Sequence, residues 1–338
     1  MNEIIYENFS IIGDGAMGTV MATLLCEKGK FVRMWGYDAK QIHEFAYKRE
    51  NVKFLPGYKL PQSLLFEPED KRIMVGADMI ISAVPCQFMR SVWERLQKFY
   101  PKNVPIVSVT KGIENDTLLC PHEILKHVLG PDIKVAALSG PTIADELARR
   151  LPATSCAASE DEQLAKDVQN VFNADWFRVY TNTDIVGVEL AGAMKNVIAI
   201  AAGIVDGIGA GDNAKAALLS RGLAEITRLG MACGAKPQTF AGLTGLGDLV
   251  TTCVSPTGRN RSFGESIGHG MTSEQAQKTT QSVIEGVATC KSVITLAQLH
   301  DVEMPITEAV YQILFEEKPV NLAVADLMKR QLKAEDWC

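Results

Sequence analysis

The chain has 338 residues, 47% of them apolar and 22% charged, with a formal net charge of −6 and a pI near 5.5. The length exceeds one usual core of about 100–200 residues and predicts two domains, and the balance of residue types excludes disorder. The acidic balance argues against a general nucleic-acid or membrane-surface role, which needs a basic face. Eight cysteines without C-x-x-C spacing indicate a reducing compartment and no structural metal. Residues 1–10 contain acids and run straight into a strand-like segment, without the features of a secretory signal, so a cytoplasmic location is expected.

Up to residue 138, short apolar runs alternate with helix-like segments, the pattern of parallel strands joined by crossover helices. The expected strands are 9–12, 31–35, 79–84, 105–109 and 134–138, with two further short ones at 154–157 and 177–180. The first strand leads into Gly13-Asp14-Gly15-Ala16-Met17-Gly18 and then a helix over 19–27. In this G-x-G-x-x-G, one glycine serves the tight turn, one the approach of a pyrophosphate and one the packing of helix on strand. The helix N-terminus adds unpaired N–H groups and partial positive charge.

The second strand ends at Trp35-Gly36-Tyr37-Asp38, with Asp38 about 20 residues beyond the last glycine, where an acid accepts bonds from the ribose hydroxyls of NAD. Asp38 equally suits the cap of a helix starting near Ala39. On these residues NAD is slightly favoured over NADP. An insertion follows, with Leu55-Pro56-Gly57 and Leu60-Pro61 expected to interrupt any regular element. Thr110-Lys111-Gly112 and Ser139-Gly140-Pro141-Thr142 come at the carboxyl ends of the fourth and fifth strands, where open α/β sheets bind ligands. Without that position Lys111 reads as an ordinary surface lysine.

After residue 183 helical spacing takes over, with Thr183 or Asp184 as N-cap, so the domains are expected at 1–183 and 184–338 with a ligand cleft between them. The apolar run 184–205 contains Glu189, Lys195 and Asn196 and reads as a buried core helix, not a bilayer span. Lys195 is its only base, a costly placement unless the ammonium is paired. The alternative is a lysine with a buried stem and a solvated head. Thr244-Gly245-Leu246-Gly247-Asp248-Leu249-Val250-Thr251-Thr252 is expected to open as a loop with polar members converging on a small anion. In Gly258-Arg259-Asn260-Arg261, Arg259 offers a fork for phosphate or belongs to a solvated basic turn, the reading that also covers Arg261.

Taken together, the glycine turn 13–18, Leu55-Pro56-Gly57, the run 108–114, Ser139-Gly140-Pro141-Thr142, the run 189–197, the run 211–217, Gly245-Leu246-Gly247-Asp248 and Gly258-Arg259-Asn260 resemble the NAD(P)-dependent glycerol-3-phosphate dehydrogenase family over nearly the whole chain. The resemblance implies an N-terminal Rossmann-type doubly wound sheet, an all-α substrate domain, and a homodimer that supplies sn-glycerol 3-phosphate for phospholipid synthesis. It implies Lys195 as proton donor and acceptor, Lys111 touching substrate and cofactor, and Asp248 and Thr252 organising the reacting end. Gly140, Thr142, Gly258, Arg259 and Asn260 would line the substrate. The cofactor, NAD or NADP, would meet Gly13, Gly15, Ala16, Met17, Gly18, Tyr37, Asp38, Lys111, Ala144, Arg259, Val283 and Glu285. No metal, nucleic acid or membrane insertion is implied. Two departures stand out. Ala16-Met17 replaces the Ser-Trp or Ala-Trp common in the family, and Tyr37-Asp38 stands where many bacterial members carry a basic residue.

Overall fold

The computed structural model describes residues 5–279, 283–332 and 334–335. Two compact units emerge, Met1–Thr110 with Pro121–Ile185, and Lys111–Cys120 with Val186–Cys338. Residues 111–120 thus pack with the second unit although they lie inside 1–183. Their apolar members explain it: Ile113 and Cys120 are buried in the helical core, and Ser292 donates to the Ile113 carbonyl at 2.9 Å.

The first unit contains β1 (Asn8–Ile12), β2 (Phe31–Trp35), β3 (Glu50–Asn51), β4 (Leu55–Lys59), β5 (Leu65–Phe66), β6 (Met79–Ser82), β7 (Ile106–Ser108), β8 (Val135–Ser139), β9 (Ala153–Ala158) and β10 (Phe177–Asn182). Its helices are α1 (Ala16–Glu27), α2 (Ala39–Lys48), α3 (Asp70–Ile73), α4 (Cys86–Leu96), α5 (Pro121–Leu129), α6 (Ala144–Ala148) and α7 (Glu162–Phe172). The sheet order is β10-β9-β8-β7-β6-β1-β2-β5, with parallel pairing from β5 through β8. β9 pairs antiparallel with β8 and parallel with β10, so the last two strands run against the rest. β6 and β8 are buried at every position, which is why their sequences are apolar runs without alternation, each closed by a buried serine, Ser82 and Ser139.

Two expectations change. β6 stops at Ser82, short of Pro85, and β7 starts at Ile106 because Pro105 has no N–H to give the ladder. The 55–61 insertion is not irregular throughout. Leu55-Pro56-Gly57 lies in β4, which pairs antiparallel with β3, and Gly57 takes φ +89°. β5 then joins the main sheet beside β2. A proline is tolerated in β4 because, among the described residues, this is a separate two-stranded ribbon with β3 as its one strand neighbour.

The second unit contains α8 (Ile185–Gly207), α9 (Asp212–Ala232), α10 (Pro237–Phe240), α11 (Asp248–Val254), α12 (Arg259–Gly268), α13 (Ser273–Lys278), α14 (Glu285–Leu299), α15 (Pro305–Phe315) and α16 (Val320–Met328). α8 is the core helix, with Leu190, Met194, Val197, Ile198 and Ile200 buried. It is the one described helix long and apolar enough to cross a membrane, and it is almost wholly enclosed by the fold.

Glycines let α12 lie directly on α8. A Cβ on Gly203 would stand 1.9 Å from the Arg261 carbonyl oxygen, and one on Gly264 would stand 2.0 Å from that of Ile200. Backbones this close leave room for glycine alone. The contact places the start of α12 with respect to Lys195 and Asn196.

Candidate active site

The glycine turn has the form its sequence requires. Gly13 sits at φ +116°, and a Cβ there would be 2.6 Å from the Ala83 carbonyl oxygen. A Cβ on Gly18 would be 2.3 Å from the Gly13 oxygen, whereas Gly15 faces open space. Gly15 is also the N-cap of α1 and offers no side-chain cap, so the first N–H groups of that helix are left for an anion. A dinucleotide pyrophosphate fits this cradle. Ala16 and Met17 are partly buried and pack against the core of this unit.

A buried residue not singled out in the sequence braces the turn. Asn51 donates to the Asp14 carbonyl at 2.8 Å and to Thr19 Oγ1 at 2.7 Å, and accepts from the Phe54 N–H at 3.0 Å. A lone asparagine in an insertion carries no sequence signal for this role. At the end of β2, the capping alternative is the one realised by Asp38, whose Oδ1 accepts from the Lys40 N–H at 2.9 Å. Tyr37 is 69% exposed. Gly140 at φ +149° lies against Ser155, Thr142 Oγ1 donates to the Gly140 carbonyl at 3.0 Å, and Ala144 opens α6.

The second unit holds the charged cluster. Lys195, 6% exposed on α8, donates from Nζ to Asp248 Oδ1 and Thr252 Oγ1. Lys111 Nζ donates to the other oxygen, Oδ2, of the same carboxylate at 2.5 Å. Asp248 is 1% exposed and is the first residue of α11. Thr252 is one turn further along the same face. The pairing replaces the alternative of a lysine reaching into solvent. Burial is the largest influence on Lys195 and lowers its pKa to about 8, helped by the charge of Lys111 and opposed by Asp248.

The glycines before Asp248 wind into a π-helical turn, Leu243–Gly247, continuous with α11, in place of the expected loop. A Cβ on Gly245 would stand 2.0 Å from the Phe240 carbonyl oxygen, so only glycine admits this winding.

At the start of α12, Gly258 is an N-cap with no side-chain partner and Arg259 is exposed. Asn260 is less free than the sequence reading expects. It donates to Asn196 Oδ1 at 3.0 Å and accepts from the Gly286 N–H at 3.0 Å, tying α12 to α8 and α14. Arg261 is not a solvated turn residue either. It pairs with Asp206 at 2.8 Å, which also holds Lys215 at 2.8 Å, and with Glu265 at 3.1 Å. Glu285 opens α14, and burial pushes its carboxyl up to about 7 against the pull of Arg259. Val283 lines a cavity of about 440 Å³ with Asn115, Ile284, Val287, Lys291 and Phe315.

Two family models match the chain: the NAD-dependent glycerol-3-phosphate dehydrogenase N-terminus over residues 8–165 and its C-terminus over residues 184–325. A glycerol-3-phosphate dehydrogenase (NAD(P)+) from Geobacter sp. strain M21 is 48% identical over 331 residues, 97% of this chain and 99% of its own.

The chain belongs to the NAD-dependent glycerol-3-phosphate dehydrogenase family.

A relative of the same name from Chlorobium phaeobacteroides strain BS1 is 46% identical, covering 96% of this chain and 98% of that one. The crystal structure of glycerol-3-phosphate dehydrogenase from Coxiella burnetii superposes with a TM-score of 0.93 at 38% identity, over 96% of this chain and 99% of that one. The chain is accordingly an NAD(P)-dependent oxidoreductase with a Rossmann-type first unit and a helical second unit.

Proposed function

We propose that the chain catalyses reversible hydride transfer between NAD(P)H and dihydroxyacetone phosphate, forming sn-glycerol 3-phosphate. The observation that carries this reading is the buried carboxylate of Asp248 shared by two ammonium groups, Lys195 and Lys111. When bound, the nicotinamide nucleotide supplies or accepts the hydride. Lys195, as ammonium, donates a proton to the ketone oxygen as negative charge develops there, and its neutral amine removes the hydroxyl proton in the reverse direction. Two ammonium groups around one carboxylate leave a net positive charge for the developing oxyanion. Thr252 holds the Lys195 head in place. With a pKa of about 8, Lys195 presents both protonation states near neutral pH.

The substrate phosphate is assigned to Arg259 and the N–H groups of the first turn of α12, a helix terminus joined to a planar cation. Asn260 contributes chiefly by fixing that terminus. Gly140 and Thr142 are assigned to the substrate. Gly13, Gly15, Ala16, Met17, Gly18, Tyr37, Asp38, Ala144, Val283 and Glu285 are assigned to the cofactor, and Lys111 and Arg259 to both ligands. The division of labour is a cofactor domain over 1–183 and a substrate domain over 184–338, with residues 111–120 serving the latter. A cytoplasmic homodimer feeding phospholipid synthesis completes the reading and rests on the family likeness.

The test is the initial rate of dihydroxyacetone phosphate reduction by the purified protein, followed as loss of reduced-nicotinamide absorbance with NADH and NADPH in parallel. Turnover with either, and none with unphosphorylated dihydroxyacetone, is the expected result. No turnover on the phosphate with either nucleotide would overturn the substrate assignment.

A further inference from the structure

The end of β2 decides which nucleotide a turn of this kind accepts, because the ribose 2′ position lies there: an acid suits the 2′-hydroxyl of NAD and an arginine the 2′-phosphate of NADP. By sequence this chain offers only Tyr37 and Asp38 at that point. The fold adds a cation from elsewhere. Arg95, in the last turn of α4, lays its guanidinium carbon 5.1 Å from the Tyr37 ring centroid and 5.2 Å from that of Trp35.

One edge of that guanidinium is fixed. Its Nε donates to Asp70 Oδ2 at 2.7 Å and its Nη2 to Asp70 Oδ1 at 2.8 Å, and Trp35 Nε1 anchors the same carboxylate at 3.1 Å. The pairing with Asp70 holds Arg95 above its ordinary pKa, so it is always charged. The side chain is 40% exposed. The opposite edge, Nη1 and the second Nη2 hydrogen, is turned to no carboxylate among the described residues. A planar cation clamped on one side and stacked on two rings has lost most of its rotamer freedom before any ligand arrives, so little entropy opposes its binding an anion.

We propose that Arg95 is the residue that receives the 2′-phosphate of NADP(H), taking the place of a basic residue at the end of β2. Asp38, exposed beside it in sequence to Tyr37, keeps an acceptor for the 2′-hydroxyl of NAD(H). The site therefore takes both nucleotides, with Arg95 offsetting the repulsion that Asp38 and Asp70 exert on a 2′-phosphate. The inference rests on reading the glycine turn as the nicotinamide-nucleotide site, and the experiment separates the two.

Binding of adenosine 2′,5′-bisphosphate and of AMP to the intact protein is measured by calorimetry, which needs neither substrate nor turnover. The wild type is expected to prefer the bisphosphate, and Arg95→Gln to abolish a preference of roughly tenfold or more while leaving AMP within about twofold. Arg95→Lys, which keeps the charge but not the fork, is expected to retain part of it. The wild-type preference is expected to shrink between low and high salt. Equal affinity of the wild type for the two ligands, or an unchanged preference in Arg95→Gln, would overturn the assignment. If neither ligand binds the wild type, the nucleotide site itself falls and Arg95 with it.

Discussion

Lys195 is a residue whose chemistry depends on what surrounds its last atom. The residue is buried, its ammonium ends on Asp248 and Thr252, and burial brings the pKa to about 8. In the oxidising direction the free amine is the working form, so the rate is expected to climb with pH through about 8 and level off above it; the reducing direction, which needs the ammonium, falls over the same interval. A pH-rate series in both directions checks the pair. Lys195→Met is expected to lower kcat by roughly a hundredfold or more, the usual effect of losing an acid–base group, with a flat profile near pH 8. Near-normal turnover would remove Lys195 from the role. Asp248→Asn takes away the charge that holds the Lys195 proton while leaving Lys111 to repel it. The limb of the oxidising profile is then expected at lower pH than in the wild type, and a shift to higher pH would contradict the arrangement.

The pairing of α8 with α12 is where an element's placement governs the site. Gly203, Gly207, Gly264 and Gly268 allow these helices to touch along their backbones, and the ion group of Asp206, Lys215 and Arg261 fixes the same pair with α9. Gly203→Ala puts a methyl 1.9 Å from the Arg261 carbonyl oxygen and has to push α12 outward. A loss of about 1–3 kcal/mol is expected in urea unfolding, the common cost of overpacking, with a raised KM for the phosphorylated substrate because Arg259 moves with the helix. Unchanged stability and KM would show that α12 is positioned by other contacts. The sequence spacing makes α8 and α12 legible as helices. It does not show that they touch, since glycines within a helix read equally as weak points in it.

The molecule as a whole carries a pH-dependent strain in its second unit. Glu225 on α9 caps α15, accepting from the N–H groups of Ile306 at 2.7 Å and Thr307 at 3.3 Å, and burial raises its pKa to about 7. A carboxyl raised from 4.5 binds its proton more tightly folded than unfolded. Its penalty is absent below about 4.5 and grows as pH rises, reaching its full size, on the order of 3 kcal/mol, above 7. Glu225→Gln is expected to raise the Tm of the helical unit at pH 8 and change it little at pH 4.5; equal shifts at both would show that ionisation is not the cause. The sequence by itself determined the α/β then all-α plan, the glycine turn and the presence of Lys111, Lys195, Asp248 and Arg259, because local periodicity and turn chemistry are written in neighbouring residues. Only the tertiary structure decided that residues 111–120 join the helical unit, that Asp248 is shared by two lysines 137 and 53 residues away, that Asn260 ties three helices, and that Arg95 reaches the end of β2. Each of these is a contact between residues far apart in the chain, fixed by packing and by pairing of buried charge, and such contacts leave no mark in the spacing of either partner.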